Sequence, residues 1–422
     1  MNQEALARLR RLGVVRGTRH LKPVSHPSTA GQSVVTPPRA PDDGEPQPLP
    51  ALLPGLTLAE TPEGACFVLD RVYPLHHQHG SDRLDSLLQQ QPGYAATFCA
   101  EPRLESLDFR EFLFLDTETT GLAGAGTLAF MVGVAFFEGD AFVTRQYFLR
   151  DHGDEPAMLY LLDELLAQRP ALITFNGRSF DLPLLDGRFL LNRMLSDLRD
   201  RPHMDLLLPA RRLWRLRLDS CALSALERSL LGLQRSQEDV PGWLIPSLYN
   251  QYLLTGDGRE MARVFYHNRI DLLSMVTLAA RIVRQVAAPD PGDHPIDLLA
   301  LGRWLVHLGR FAEAEQVLRL AVVPELPTPF YQQGLIQLGQ LLKRVGRRHE
   351  AVTVWQQLAC TSFDDVTAHV ELAKYYEWHG NDPAAAHMWT EQALSLLAGS
   401  QSSLRSELEH RRHRLERKLG RD

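Results

Sequence analysis

Residues 112–121, FLFLDTETTG, constrain this chain more than any other stretch. Four apolar residues in succession make a short buried strand, and it stops abruptly at Asp116-Thr117-Glu118. Side chains two apart on a strand point to the same side, so both carboxylates reach one place at the strand's end. Two acids there are costly unless a cation neutralises them. Hard oxygen donors of this kind suit Mg2+ or Mn2+.

The motif does not stand alone. LITFNGRSFDLPLL supplies a second strand end, then Asn176-Gly177, then Asp181 at the start of a helical run. VFYHNRIDLLSM places His267 and Asp271 four apart on one helix face. Helix capping accounts for Asp181 taken singly. It does not account for an acid pair at a buried strand end together with the other two segments.

These three segments resemble the Exo I, Exo II and Exo III motifs of the DEDD 3′–5′ exonucleases. The fuller text, including HMDLLLPARRLW, is similar to the YprB-type ribonuclease-H-like family over about residues 56–400. The resemblance implies an α/β fold, a mixed ribonuclease-H-like sheet flanked by helices, followed by an all-α repeat region. It also implies that Asp116, Glu118, Asp181 and Asp271 hold two Mg2+ or Mn2+ ions, and that the chain hydrolyses single-stranded DNA or RNA from the 3′ end. DEDD enzymes place a Tyr four residues, or a His five residues, before the last Asp. Here His267 stands four back and Tyr266 five back. His267 is expected to orient or deprotonate the attacking water, because an imidazole titrates near neutrality; Tyr266 is the alternative.

Around these acids lie candidate substrate contacts. Thr119, Thr120 and Gly121 would let a nucleotide backbone approach, or Gly121 serves turn geometry. Asn176 hydrogen-bonds substrate or braces the strand-to-helix turn. His203 and Asp205 form either a supporting shell for the site or a structural pair. Arg211, Arg212, Arg215 and Arg217 with Trp214 suit phosphate contact and base stacking, or are a solvated helix face.

The rest of the chain is organised around this domain, expected at residues 105–287. Residues 1–55 read as a basic and then proline-rich tail, and 56–104 as a small β-leaning extension. The histidines of that extension, His76, His77 and His79, are expected to pack or hydrogen-bond rather than bind metal. From 296 to 400 come helix pairs in which Gly309, Gly346 and Gly380 are each followed five residues later by Ala314, Ala351 and Ala385. Trp355 recurs as Trp389, and a period near 34 resembles tetratricopeptide repeats, which commonly hold peptides. A protein partner is therefore expected, besides nucleic acid. Residues 401–422 read as a charged helix acting as a solvated cap.

A net charge of −6 argues against a protein that coats nucleic acid by bulk electrostatics, although not against a nuclease with a local cation site. Cys66, Cys99, Cys221 and Cys360 form no C-x-x-C pair, so neither a zinc ribbon nor a disulfide framework is expected. The N-terminal arginines lack an apolar h-region, and the longest apolar stretch, 122–137, is broken by glycines and reads as a buried strand with its approach loop. A cytoplasmic protein is expected. The competing classes are a catalytically silent nucleic-acid-binding fold and a repeat scaffold.

Overall fold

The computed structural model describes residues 45–121, 126–361, 365–398 and 402–420. The expected basic stretch and the glycine-broken loop at 122–125 lie outside the described residues. A one-turn helix α1 (Leu49–Leu52) leads into β1 (Leu56–Thr61) and β2 (Gly64–Pro74), then the short pair β3 (Gln78–His79) and β4 (Asp82–Arg83), and α2 (Pro92–Cys99). The central run is β5 (Phe112–Thr119), β6 (Ala129–Glu138), β7 (Ala141–Phe148), α3 (Glu155–Leu166), β8 (Ala171–Thr174), α4 (Asp181–Leu191), β9 (His203–Asp205) and α5 (Leu207–Trp214). After α6 (Leu223–Leu226) come α7 (Ile245–Thr255) and the long α8 (Arg259–Ala287).

Among the described residues the main sheet has seven strands in the order β1-β2-β7-β6-β5-β8-β9. It is antiparallel from β1 to β5 and parallel from β5 through β9. Residues 56–104 are thus no detached extension. Their strand β2 pairs with β7 from Phe67 to Pro74 and covers an edge that would otherwise be open. β5 is central, which explains its uninterrupted apolar run: Phe112, Leu113, Phe114 and Leu115 are fully buried between two layers. Leu113 and Leu115 join a core with α3, α4 and α7, while Phe112 and Phe114 join a second core with the later part of α8.

α8 is about 44 Å long at 1.5 Å per residue. Met261, Val264 and Phe265 belong to the first core, and residues from Leu272 onward to the second. Tyr266 to Asp271 lies between these two apolar segments.

The C-terminal region pairs α9 (Pro295–His307) with α10 (Phe311–Ala321), α11 (Thr328–Arg344) with α12 (Arg348–Thr361), and α13 (Thr367–Trp378) with α14 (Pro383–Leu396). Gly309 and Gly346 turn the first two pairs in the left-handed conformation, at φ 77° and 85°. The third pair differs from the sequence expectation by one residue. Its left-handed position is Asn381, at φ 48°, and the fully buried alanine five residues on is Ala386, not Ala385. The register shift puts the fully buried Thr390 where Trp355 sits one pair earlier, so Trp389 is not its equivalent.

A final helix, α15 (Ser403–Lys418), is docked rather than freely solvated. The deeply buried carboxylate of Glu377 receives Arg411 at 2.5 Å, Arg414 at 2.7 Å and Lys418 at 3.1 Å. Among the described residues no helix is long and apolar enough to cross a membrane.

Candidate active site

β5 delivers Asp116 opposite Gly133 of β6 and Glu118 opposite Met131. A bulge after Glu118 ends regular pairing there. Gly133 is required because Asn268 of α8 enters over it: a Cβ would fall 2.0 Å from Asn268 Oδ1. Asn268 is completely buried. Its Oδ1 accepts from Gln146 Nε2 at 2.9 Å, and its Nδ2 donates to Asp116 Oδ2 at 2.8 Å. This pins α8 to β5 and fixes the Asp116 carboxylate.

The second strand end is locked differently. Asn176 takes the left-handed conformation, φ 69°, and Asp205 at the end of β9 accepts from the backbone N–H groups of Asn176 at 2.8 Å, Arg178 at 3.0 Å and Leu207 at 3.0 Å. Thr174 Oγ1 accepts from the Gly177 N–H at 3.1 Å and bonds His203 Nε2 at 2.8 Å. Burial pushes the His203 imidazole down to about 4, so it is neutral. His203 and Asp205 thus brace the turn that launches α4, while Asn176 both forms that turn and walls the cleft. Asp181 opens α4 and accepts from Thr117 Oγ1 at 2.5 Å.

The third element brings His267 and Asp271. His267 Nδ1 lies 2.7 Å from Asp239 Oδ1, and Nε2 lies 3.6 Å from Asp271 Oδ2. Tyr266 turns the other way: its hydroxyl accepts from the Ser236 N–H at 3.2 Å, and Arg269 lies over its ring. Arg235 bridges the group. It makes two bonds to buried Glu227, at 2.7 and 2.6 Å, and donates to Asp271 Oδ1. Burial disfavours the Arg235 charge, but the Glu227 bonds and the Asp271 charge outweigh that and keep it firmly protonated. Nothing in the spacing of Glu227, Arg235, Asp239 or Asn268 singled them out. Only the fold brings them together, although Asn268 stood inside the His267–Asp271 segment.

The electrostatics show four acids near one another. Burial, then the charges of Asp271 and Asp181, raise Asp116 well above the usual carboxylate range. Glu118 is raised in the same way by burial and then by Asp116, Asp271 and Asp181. Asp181 is pushed up to about 6 by burial, with the Thr117 bond opposing. Burial also raises Asp271, against the pull of His267 and Arg235. Asp116 and Asp271 line one cleft of about 700 Å³ together with Asn176, Arg211 and Arg215. Among the described residues, however, no three His, Cys, Asp or Glu side chains stand close enough to cage a metal ion as they are. Thr117 holds Asp181 and Arg235 holds Asp271.

Several expected substrate contacts are corrected. Trp214 is buried in the core, with 2% exposure, so no base stacks on it. Ala210 and Leu213 of the same helix belong to that core as well. Thr119 is buried and its hydroxyl donates to the Gly121 carbonyl at 2.7 Å, so it serves the turn. Thr120 Oγ1 likewise accepts from the Leu128 N–H at 3.0 Å. Gly121 adopts no left-handed φ, and a Cβ there would sit 3.8 Å from Thr127 Oγ1, an ordinary contact. Arg211 and Arg215 face the cleft, Arg212 is exposed outside its lining, and Arg217 is paired with Asp297. His79 bonds Ser274 at 2.9 Å and burial pushes it down to about 4.

The model of the RNase_H superfamily matches residues 113–283, the span from β5 through most of α8. YprB of Bacillus subtilis (strain 168) is 31% identical over 366 residues, covering 84% of this chain and 86% of that protein. A solved structure, PcrH from Pseudomonas aeruginosa, is matched at 16% identity over 29% of this chain and 90% of its own, with a TM-score of 0.25, too low to bear on the fold. With its sheet order and with a relative of that extent, the chain belongs to the YprB-type family of ribonuclease-H-like proteins.

Proposed function

We propose that this chain is a divalent-metal-dependent nuclease, a 3′–5′ exonuclease acting on single-stranded DNA or RNA. The observation that carries the reading is the crowding of Asp116, Glu118, Asp181 and Asp271, brought from β5, α4 and α8, beside an arginine-walled cleft. The chemistry of the donor set fits Mg2+ or Mn2+, since all four are hard carboxylates whose mutual repulsion favours a bound cation, but to share one, Asp181 would have to turn from Thr117 and Asp271 from Arg235. Those four side chains would hold two ions. When bound, such a pair supplies an acidified water and neutralises charge on the scissile phosphate. Asn268 keeps Asp116 turned to the cleft. Asp239 holds His267 at Nδ1 and leaves Nε2 beside Asp271, suited to take a proton from the attacking water. Arg211 and Arg215 orient the strand through its phosphates.

The test is cleavage of end-labelled single-stranded DNA and RNA with Mg2+ or Mn2+. Asp116→Asn and Asp271→Asn should each lower the rate at least a hundredfold, and full activity in both removes the site. A ladder growing from the 5′ end removes only the polarity. A second reading, a nuclease-like fold that grips without cutting, is favoured by one observation: Arg235 already neutralises Asp271. Strand binding without cleavage under any divalent ion selects that reading.

A further inference from the structure

The cleft continues past the acids. A second hollow of about 250 Å³ shares Asn176, Leu207 and Arg211 with it, and adds Arg178 and Leu208. A third, of about 330 Å³, shares Arg178 with the second and adds Arg199 and Arg201. Asp116 and Asp271 border only the first, so they stand at one end of this series of adjoining hollows; Asp205 borders the second and Glu101 the third.

The arginines along these hollows are chemically distinct from most others in the chain. Acids outnumber bases, 51 to 45, and among the described residues most guanidinium groups are engaged by a carboxylate or carbonyl. Among the described residues Arg178, Arg211 and Arg215 have no ion pair and no hydrogen bond through the guanidinium, and all three are exposed. Arg199 has one pair, with Asp186 at 3.2 Å, its own side chain exposed and that of Asp186 half-buried, and a phosphate can compete for it. Arg201 is excluded, since it is committed to Asp197 and to the carbonyls of Leu166 and Arg169. Between the arginines the second hollow carries Leu208, 57% exposed, and Pro209, with Ser179 and Asp205 beside them, and Glu101 and His203 line the third. Free guanidinium groups on either side of an exposed apolar side chain suit a backbone whose bases are unpaired; a duplex hides its base faces.

We propose that the three hollows form a track for one nucleic-acid strand leading away from the carboxylates, with Arg211, Arg178 and Arg199 as its phosphate contacts. The track rests on the nuclease reading, and it makes affinity depend on strand length: a short oligonucleotide fills the cleft alone, a longer one reaches Arg178 and Arg199.

Fluorescence anisotropy of labelled 4-mer and 12-mer single strands, in EDTA so that nothing is cut, tests this. In the wild type the 12-mer binds more tightly. Arg178→Gln/Arg199→Gln should weaken the 12-mer about tenfold, collapse its advantage over the 4-mer, and flatten the dependence of log K on log salt by roughly 0.7 for each lost phosphate contact. Arg319→Gln, on α10, is the control. A double variant that binds the 12-mer like this control, while wild type still cuts single strands, overturns the track and leaves the nuclease standing. A wild type that neither binds nor cuts any strand overturns both. A blunt duplex of equal length that binds as tightly, and is weakened as much by the double variant, overturns the single-strand assignment.

Discussion

Asn268 carries more of the site than its place in the sequence suggests. It is sealed from water and spans two partners, Gln146 on one side and Asp116 on the other. Replacing it with Leu keeps much of the volume but leaves the buried Gln146 amide and the cleft-lining Asp116 carboxylate each short of a bond. An unsatisfied buried group costs about 1–3 kcal/mol, so Asn268→Leu should lower unfolding free energy by about 2 kcal/mol or more in urea titration. A loss under 0.5 kcal/mol would show that the amide does not bridge the two elements. Cys66 gives a prediction of a different kind. Burial pushes its thiol up to about 12, whereas Cys360 is exposed. The thiolate is the reactive species, so at pH 8 Cys360 should be alkylated rapidly and Cys66 only on unfolding. The sign of the linkage follows: the folded state retains the Cys66 proton after the unfolded chain has lost it. Its contribution is therefore complete below about pH 9 and is lost as pH rises toward 12. Rapid labelling of Cys66 in folded protein at pH 8, read by mass spectrometry, would contradict its burial.

At the scale of elements, packing against neighbours decided what the sequence revealed. The strand FLFLD and the helix bearing His267 and Asp271 were legible because apolar period and abrupt acidic ends are local signals. Gly133 was not legible. Its reason is Asn268, 135 positions later, which a Cβ would meet at 2.0 Å. Gly133→Ala should therefore push α8 off β6, costing about 1–3 kcal/mol as overpacking; an unchanged melting temperature would deny the close approach. The burial of Trp214 and the loop that carries Arg235 escaped notice for a related reason: each is set by a partner element remote in sequence. In the helix pairs the first two turns were legible, but the third was not. Glycine marks the first two left-handed positions, and Asn381 takes that place in the third. Asn381→Gly should preserve or slightly raise stability, whereas Asn381→Ala should cost about 1 kcal/mol, the left-handed penalty of an ordinary side chain. Equal melting temperatures for the two variants would refute that assignment.

At the scale of the whole molecule, the sequence suggests an α/β domain at 105–287 and helix pairs at 296–400, and the two share one core. Leu298, Leu299, Leu301 and Trp304 of α9 belong to the same buried core as Phe112 and Phe114 beneath the sheet. Trp304 meets Phe98 of α2, ring centroids 5.6 Å apart. Arg217, just past α5, grips Asp297 through two bonds of 2.7 Å, with the carboxylate side chain only 5% exposed. α5 therefore faces the helical region on one side and presents Arg211 to the cleft on the other. Removing one partner of a buried pair leaves an uncompensated charge and costs about 3–5 kcal/mol, while replacing both with apolar groups is far milder. Arg217→Met should thus be strongly destabilising, and Arg217→Met/Asp297→Leu should recover most of the loss. Because the core is continuous, the wild type should unfold in one calorimetric transition, and Arg217→Met should lower that single transition rather than split off a second. Two transitions in the wild type, with only one of them moved by Arg217→Met, would show that the helical region folds by itself and that α5 does not couple it to the cleft.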